Sequence, residues 1–98
     1  MNYTFHPEAE EEFLESAARY EAAVPGLGVR FGAEVERALQ LLLKRPRLAP
    51  RVEGELRQLV LRQFPFSIVY AAAPRTLYIL AIAHTSREPR YWLTRVVP

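Results

Sequence analysis

Eight prolines cut this chain into short pieces, and that punctuation limits the fold more than any other feature. Proline fixes φ and lacks a backbone donor, so a helix tolerates it only in the first turn and a central strand hardly at all. Pro7, Pro25, Pro46, Pro50, Pro65 and Pro74 therefore mark where elements start or stop. Tyr3 and Phe5 alternate with Asn2 and Thr4, which predicts a short first strand ending at His6. Pro7 suits a first helical position and the glutamates after it suit a helix N-terminus, while Phe13, Ala17, Tyr20 and Val24 repeat at helical spacing. A helix over about 7–24 follows. Pro25-Gly26 breaks it, and Leu27, Phe31, Val35, Ala38, Leu39 and Leu42 lay out a second apolar stripe ending at Lys44-Arg45.

The rest of the chain changes period. Residues 46–54, with Pro46, Pro50 and Gly54, read as a loop, and strand-like runs follow over about 55–63, 66–73 and 76–84. Short connections at Phe64-Pro65 and Pro74-Arg75 predict antiparallel hairpins. The expected class is α+β: a small antiparallel sheet in the order β-α-α-β-β-β, one face under a helical hairpin, in a single domain over 1–98. Only the pairing of the first strand is expected to depart from antiparallel. Phe13, Tyr20, Phe31, Val35, Leu39 and Leu42 should face the sheet. The tail from Thr85 to Pro98 reads as a turn and a short helix.

Composition removes whole classes of chemistry. The chain has no cysteine, which excludes disulfides, thiolate metal sites and thiol nucleophiles. His6 and His84 have no third ligand at a metal-binding spacing, so neither a metal nor a cofactor is expected. Apolar runs are far shorter than the roughly 20 residues that span a bilayer. The first residues lack a basic region followed by an apolar run, so a cytoplasmic protein away from membranes is expected.

Charge is uneven along the chain. Residues 1–26 carry six glutamates against Arg19, net −5, whereas residues 27–98 carry twelve basic residues against five glutamates, net +7. The basic residues are nearly all arginine, which grips phosphates and carboxylates bidentately, so nucleic acid or an acidic protein segment suits this half. The glutamates of the first helix read most simply as a solvated face and dipole partners. His6, before Pro7, reads as a residue that starts the helix.

Residues able to do chemistry concentrate in the second half. On the run 55–63, Arg57, Leu59 and Leu61 share one face and Leu56, Gln58, Val60 and Arg62 the other. His84 closes the last strand and is followed by Arg87, Arg90, Tyr91, Trp92 and Arg95. Such a set offers an acid-base group, phosphate clamps and a stacking platform. A plainer reading competes with it: the histidine bonds a backbone group, Tyr91 and Trp92 cap a core, and the arginines pair with glutamates. Glu53 and Glu55 stand just before the arginine-bearing strand and are the better candidates for a base.

In order and spacing, several fragments together resemble the RelE/ParE superfamily of toxins from type II toxin-antitoxin modules, often labelled plasmid-stabilisation proteins. They are Phe5-His6-Pro7-Glu8-Ala9-Glu10-Glu11-Glu12, Tyr20-Glu21 with Pro25-Gly26-Leu27-Gly28-Val29-Arg30-Phe31, Leu56-Arg57, Phe64-Pro65-Phe66-Ser67-Ile68-Val69-Tyr70, Ile79-Leu80-Ala81-Ile82-Ala83-His84 and Arg87-Glu88-Pro89-Arg90-Tyr91-Trp92. The resemblance covers nearly the whole chain. It implies a growth-inhibiting toxin bound by a cognate antitoxin in a hetero-oligomer, acting either as a ParE-like poison of DNA gyrase without known catalysis or as a RelE-like nuclease on ribosome-bound mRNA. In a nuclease, His84 and Tyr91 would handle protons without metal, and in either case Arg57, Arg62, Arg87, Arg90 and Arg95 would hold the target. Many nuclease members carry an arginine where this chain has Ser67, and the Pro25-Gly26-Leu27-Gly28 turn looks closer to the ParE side. A third reading is a non-toxic module that only binds an antitoxin.

Overall fold

A computed structural model describes residues 2–95 and 97. Strand β1 (Asn2–Phe5) leads into helices α1 (Pro7–Ala23) and α2 (Leu27–Lys44), followed by β2 (Arg51–Glu53), β3 (Leu56–Val60), β4 (Phe66–Ala72) and β5 (Thr76–His84). A single 3-10 turn (Tyr91–Thr94) comes last. The five strands lie in the order β1-β5-β4-β3-β2, with β1 parallel to β5 and every other pair antiparallel. The sheet is thus mixed, its one parallel pair setting the first strand, which precedes the helices, beside the last.

Two expectations about elements need correction. The segment 46–54 is not wholly loop, because Arg51–Glu53 pairs with β3 as an edge strand with an irregular register. The run 55–63 is shortened to Leu56–Val60, since Leu61 turns away and donates its N–H to the Phe66 carbonyl. The buried Glu34 of α2 fixes that turn by accepting the Arg62 N–H at 3.2 Å.

Local chemistry starts and joins the helices. The His6 Nδ1 accepts the Glu8 N–H and so caps α1, with Pro7 in the first turn. At the hairpin, Gly26 takes the left-handed conformation at φ 89°, and the Glu21 carboxylate accepts the N–H groups of Gly26 and Gly28. Those donors, chiefly that of Gly26, hold the Glu21 carboxyl below its ordinary pKa. Gly28 is needed for another reason, because a Cβ there would lie 2.3 Å from the Ala17 carbonyl of α1. The two helices pack backbone to backbone at this point.

The core between hairpin and sheet is aromatic. Phe31 is fully buried, with its ring centroid 4.9–5.8 Å from those of Phe13, Tyr20, Phe64 and Phe66. Val35, Leu39 and Leu42 are buried beside it, while Phe13 and Tyr20 are partly exposed at the margin of the same cluster. On β3, Leu59 points to this core and Leu56 to the opposite face, as alternation predicts, and Leu61 just beyond the strand joins the core as well. A bulge in β5 then breaks alternation: Val69 pairs with Ala81 and Tyr70 with Ile79, leaving Leu80 extra. Leu77, Ile79 and Ile82 consequently face the helices, and Leu80, Ala81 and Ala83 face the other way. Among the described residues no helix is long and apolar enough to cross a membrane.

Candidate functional site

The face of the sheet turned away from the helices carries a second, smaller cluster of Val69, Leu80, Ala81 and Ala83. Four residues this small and apolar cannot be left in water without cost, and the segment after β5 folds back to cover them. Trp92 does so, and it is only 3% exposed. Arg90 makes the reversal at φ 63°, a left-handed conformation uncommon outside glycine. Between this segment and the open ends of β2, β3 and β4 runs a groove of about 550 Å³, lined among others by Val60, Ser67, His84, Arg51, Arg87 and Arg90.

Behind the groove wall, Glu12 of α1 collects donors from three directions. Its carboxylate accepts from the Tyr91 hydroxyl at 2.7 Å, from both terminal nitrogens of Arg95 at 3.0 and 2.7 Å, and from the Ile82 N–H at 3.0 Å. Arg95 is largely buried, and it also pairs with Glu8 at 2.9 Å and donates to the Leu80 carbonyl. Burial alone would push the Glu12 carboxyl up, but the bonds from Arg95, Tyr91 and Ile82, with the charge of Arg95, together hold it below its ordinary value. The same pairing acts oppositely on Tyr91. Burial, then the hydrogen bond to Glu12 and the negative charge of Glu12, push its phenol well above the ordinary range, and Arg95 and Arg87 offset only part of this.

The Tyr91 ring is covered by cations. The Arg87 guanidinium lies 3.8 Å from its centroid and that of Arg95 lies 5.1 Å away. Arg87 keeps about half its side chain exposed and stands 3.8 Å from Glu12, so it is the guanidinium of this cluster that reaches solvent.

The residues singled out in the sequence separate into groups. His84, Arg87, Arg90 and Tyr91 meet at the groove. His84 accepts the Ser86 N–H through Nδ1 and stacks edge-on against Phe66 at 4.9 Å. Arg90 pairs with Glu53 at 2.8 Å, tying the segment to β2, while Glu55 is exposed and meets Arg51 at 3.7 Å. Arg95 lies behind Tyr91, as described. Arg57 and Arg62 are not brought to the groove: Arg57 donates to the carbonyls of Arg47 and Ala49, and Arg62 sits exposed in the turn after β3. The reading of the first-helix glutamates as a solvated face fails at Glu12, whose side chain is 15% exposed and sits at the centre of this network. The sequence carried little signal for it: Ala9 and Ser16, one turn either side of position 12, are buried, but neither residue type marks a core face. Among the described residues, no three His, Asp or Glu side chains are grouped so as to hold a metal ion.

The fold and sequence match known proteins over most of the chain. A family described as the ParE toxin of the type II toxin-antitoxin system, parDE, matches residues 3–89. A solved structure titled "Chromosomal ParDE TA system from P. aeruginosa" shares the fold with a TM-score of 0.75 at 19% identity, covering 88% of this chain and 97% of that one. No curated protein matches significantly. With its α+β architecture and its family match running almost end to end, the chain belongs to the ParE toxin family of type II toxin-antitoxin systems.

Proposed function

We propose that this toxin inhibits growth by poisoning DNA gyrase through the surface that Arg87 and Tyr91 form at the groove, and that a cognate antitoxin neutralises it. The observation that carries this reading is the engagement of the Tyr91 hydroxyl by Glu12. A tyrosine that is to move a proton needs a pKa brought toward the working pH and a free path to the reacting atom. Tyr91 has its pKa raised and its proton committed to a carboxylate, so the group suits a held platform better than an acid or base. Ser67 adds support: it lines the groove at the position where many nuclease members carry arginine, and so supplies no charge for a phosphorane.

One observation favours RNA cleavage instead. His84 borders the same groove as Arg51 and Arg87, which would place an acid-base group beside two phosphate-binding side chains. The two readings part on induction without antitoxin. Gyrase poisoning predicts double-strand breaks that vanish with a resistant gyrase and leave mRNA ends unchanged. New ribosome-dependent RNA ends without breaks would replace it with the nuclease reading.

A further inference from the structure

We infer that Glu12 is a positioning residue of the toxin, which orients the Arg87–Tyr91 pair presented at the groove without itself meeting the target. The inference rests on the reading of that pair as the toxic surface. Glu12 does not line the groove; it lies on α1, behind Tyr91, its side chain 15% exposed and bordering a separate cleft beside Ser16 and Arg19. Its contacts account for the geometry in front of it. The Tyr91 hydroxyl is held at one carboxylate oxygen, which leaves the ring fixed at its far end and its face open to Arg87.

Two guanidiniums, Arg87 and Arg95, share that one ring. Like charges so placed repel, and the anion that both approach is Glu12, at 2.7 Å from Arg95 and 3.8 Å from Arg87. Glu8 pairs with Arg95 but is largely exposed, so salt and solvent screen it more. Removing the Glu12 charge leaves two cations over one phenol. Arg87, exposed and otherwise unpaired among the described residues, is the one free to swing away. The apolar anchor, Trp92, stays in place, so the segment remains docked while its outward face is lost.

A double-mutant cycle on the full chain separates this role from a general structural one. Glu12→Gln keeps the shape and an acceptor but removes the charge, and Arg87→Ala removes the presented group. The measured quantity is the toxin concentration giving half-maximal gyrase-dependent DNA cleavage. Each single change should raise it about tenfold, and the pair together should raise it about tenfold as well, since Glu12 acts through Arg87. A hundredfold loss in the double variant, or no loss in Glu12→Gln, overturns the inference. A second measurement does not depend on the target: the Tyr91 ring, 3.8 Å from the Arg87 guanidinium, should shift the Arg87 side-chain protons upfield in the NMR spectrum, and Glu12→Gln should return them to ordinary positions. Unmoved Arg87 resonances would refute the positioning role even if gyrase proves not to be the target. Wild-type protein inactive on gyrase, with the Arg87 shift lost as expected, would refute the gyrase reading alone.

Discussion

The Tyr91 hydroxyl meets the Glu12 carboxylate at 2.7 Å across 79 positions of sequence, joining the last turn of the fold to its first helix. Tyr91→Phe removes this bond while keeping the ring under Arg87. It should lower stability by about 1–3 kcal/mol, the range for a hydrogen bond to a largely buried charged group, as read from a urea midpoint. Toxicity per folded molecule should fall no more than about tenfold for a gyrase poison, in which the bond only fixes the ring, and about 10²-fold or more for a nuclease that uses the hydroxyl.

Acid should open the same connection. The folded Glu12 carboxyl titrates below its ordinary value of 4.5, so its contribution is complete above that value and is lost as pH falls through the folded one. The groups facing it are Tyr91, Arg95 and Arg87, with Glu8 beside Arg95, and Glu21 carries the same sign at the helical hairpin. Trp92, the only tryptophan, reports the local event. With Trp92 still docked, its emission should shift slightly as the charges beside Tyr91 rearrange, in an acid step below about pH 4.5 that disappears in Glu12→Gln, whereas an identical step in the variant would assign it to global unfolding.

Phe31→Ala should destabilise by about 3–5 kcal/mol, because the ring is fully buried among four other aromatics and the hole cannot close on them. A denaturant titration measures it, and a shift under about 1 kcal/mol would remove Phe31 from the core.

Gly28→Ala should cost about 1–3 kcal/mol although alanine is the better helix former, since its Cβ would press on the Ala17 carbonyl. Unchanged thermal stability would mean that the helices separate at no cost.

Arg57→Ala should act on stability rather than on target binding. Its guanidinium holds the carbonyls of Arg47 and Ala49, so the change should lower stability by about 1 kcal/mol and leave the salt dependence of target binding as it was. A salt slope reduced by about one would instead make it a phosphate contact.

The element order was legible because prolines and period changes coincide: Pro25 separates two stripes of helical spacing, and Pro65 and Pro74 separate short strand-like runs. Strand β2 was not, since Arg51-Val52-Glu53 is too short to show alternation and its pairing is irregular. Residue types marked the region of the groove, and His84, Arg87, Arg90 and Tyr91 do meet there. What sequence could not supply was partner geometry. Arg57 and Arg95 look alike as surface cations, yet one binds loop carbonyls and the other two carboxylates of α1. The Leu80 bulge is equally hidden, and it decides that Ile82 joins the core while Ala83 faces the groove.

The long reach between Glu12 and Arg95 orders events on the ribosome. The carboxylate is made 83 residues before the arginine that it holds, a gap of about 4–17 s at ordinary elongation rates. Late in that interval the helical hairpin has been made, while the wall that carries Arg87 and Tyr91 still lacks the arginine that pairs with Glu12. The groove wall therefore takes its shape only after Arg95 has been made, and a partner already present meets a chain whose outward pair is not yet set.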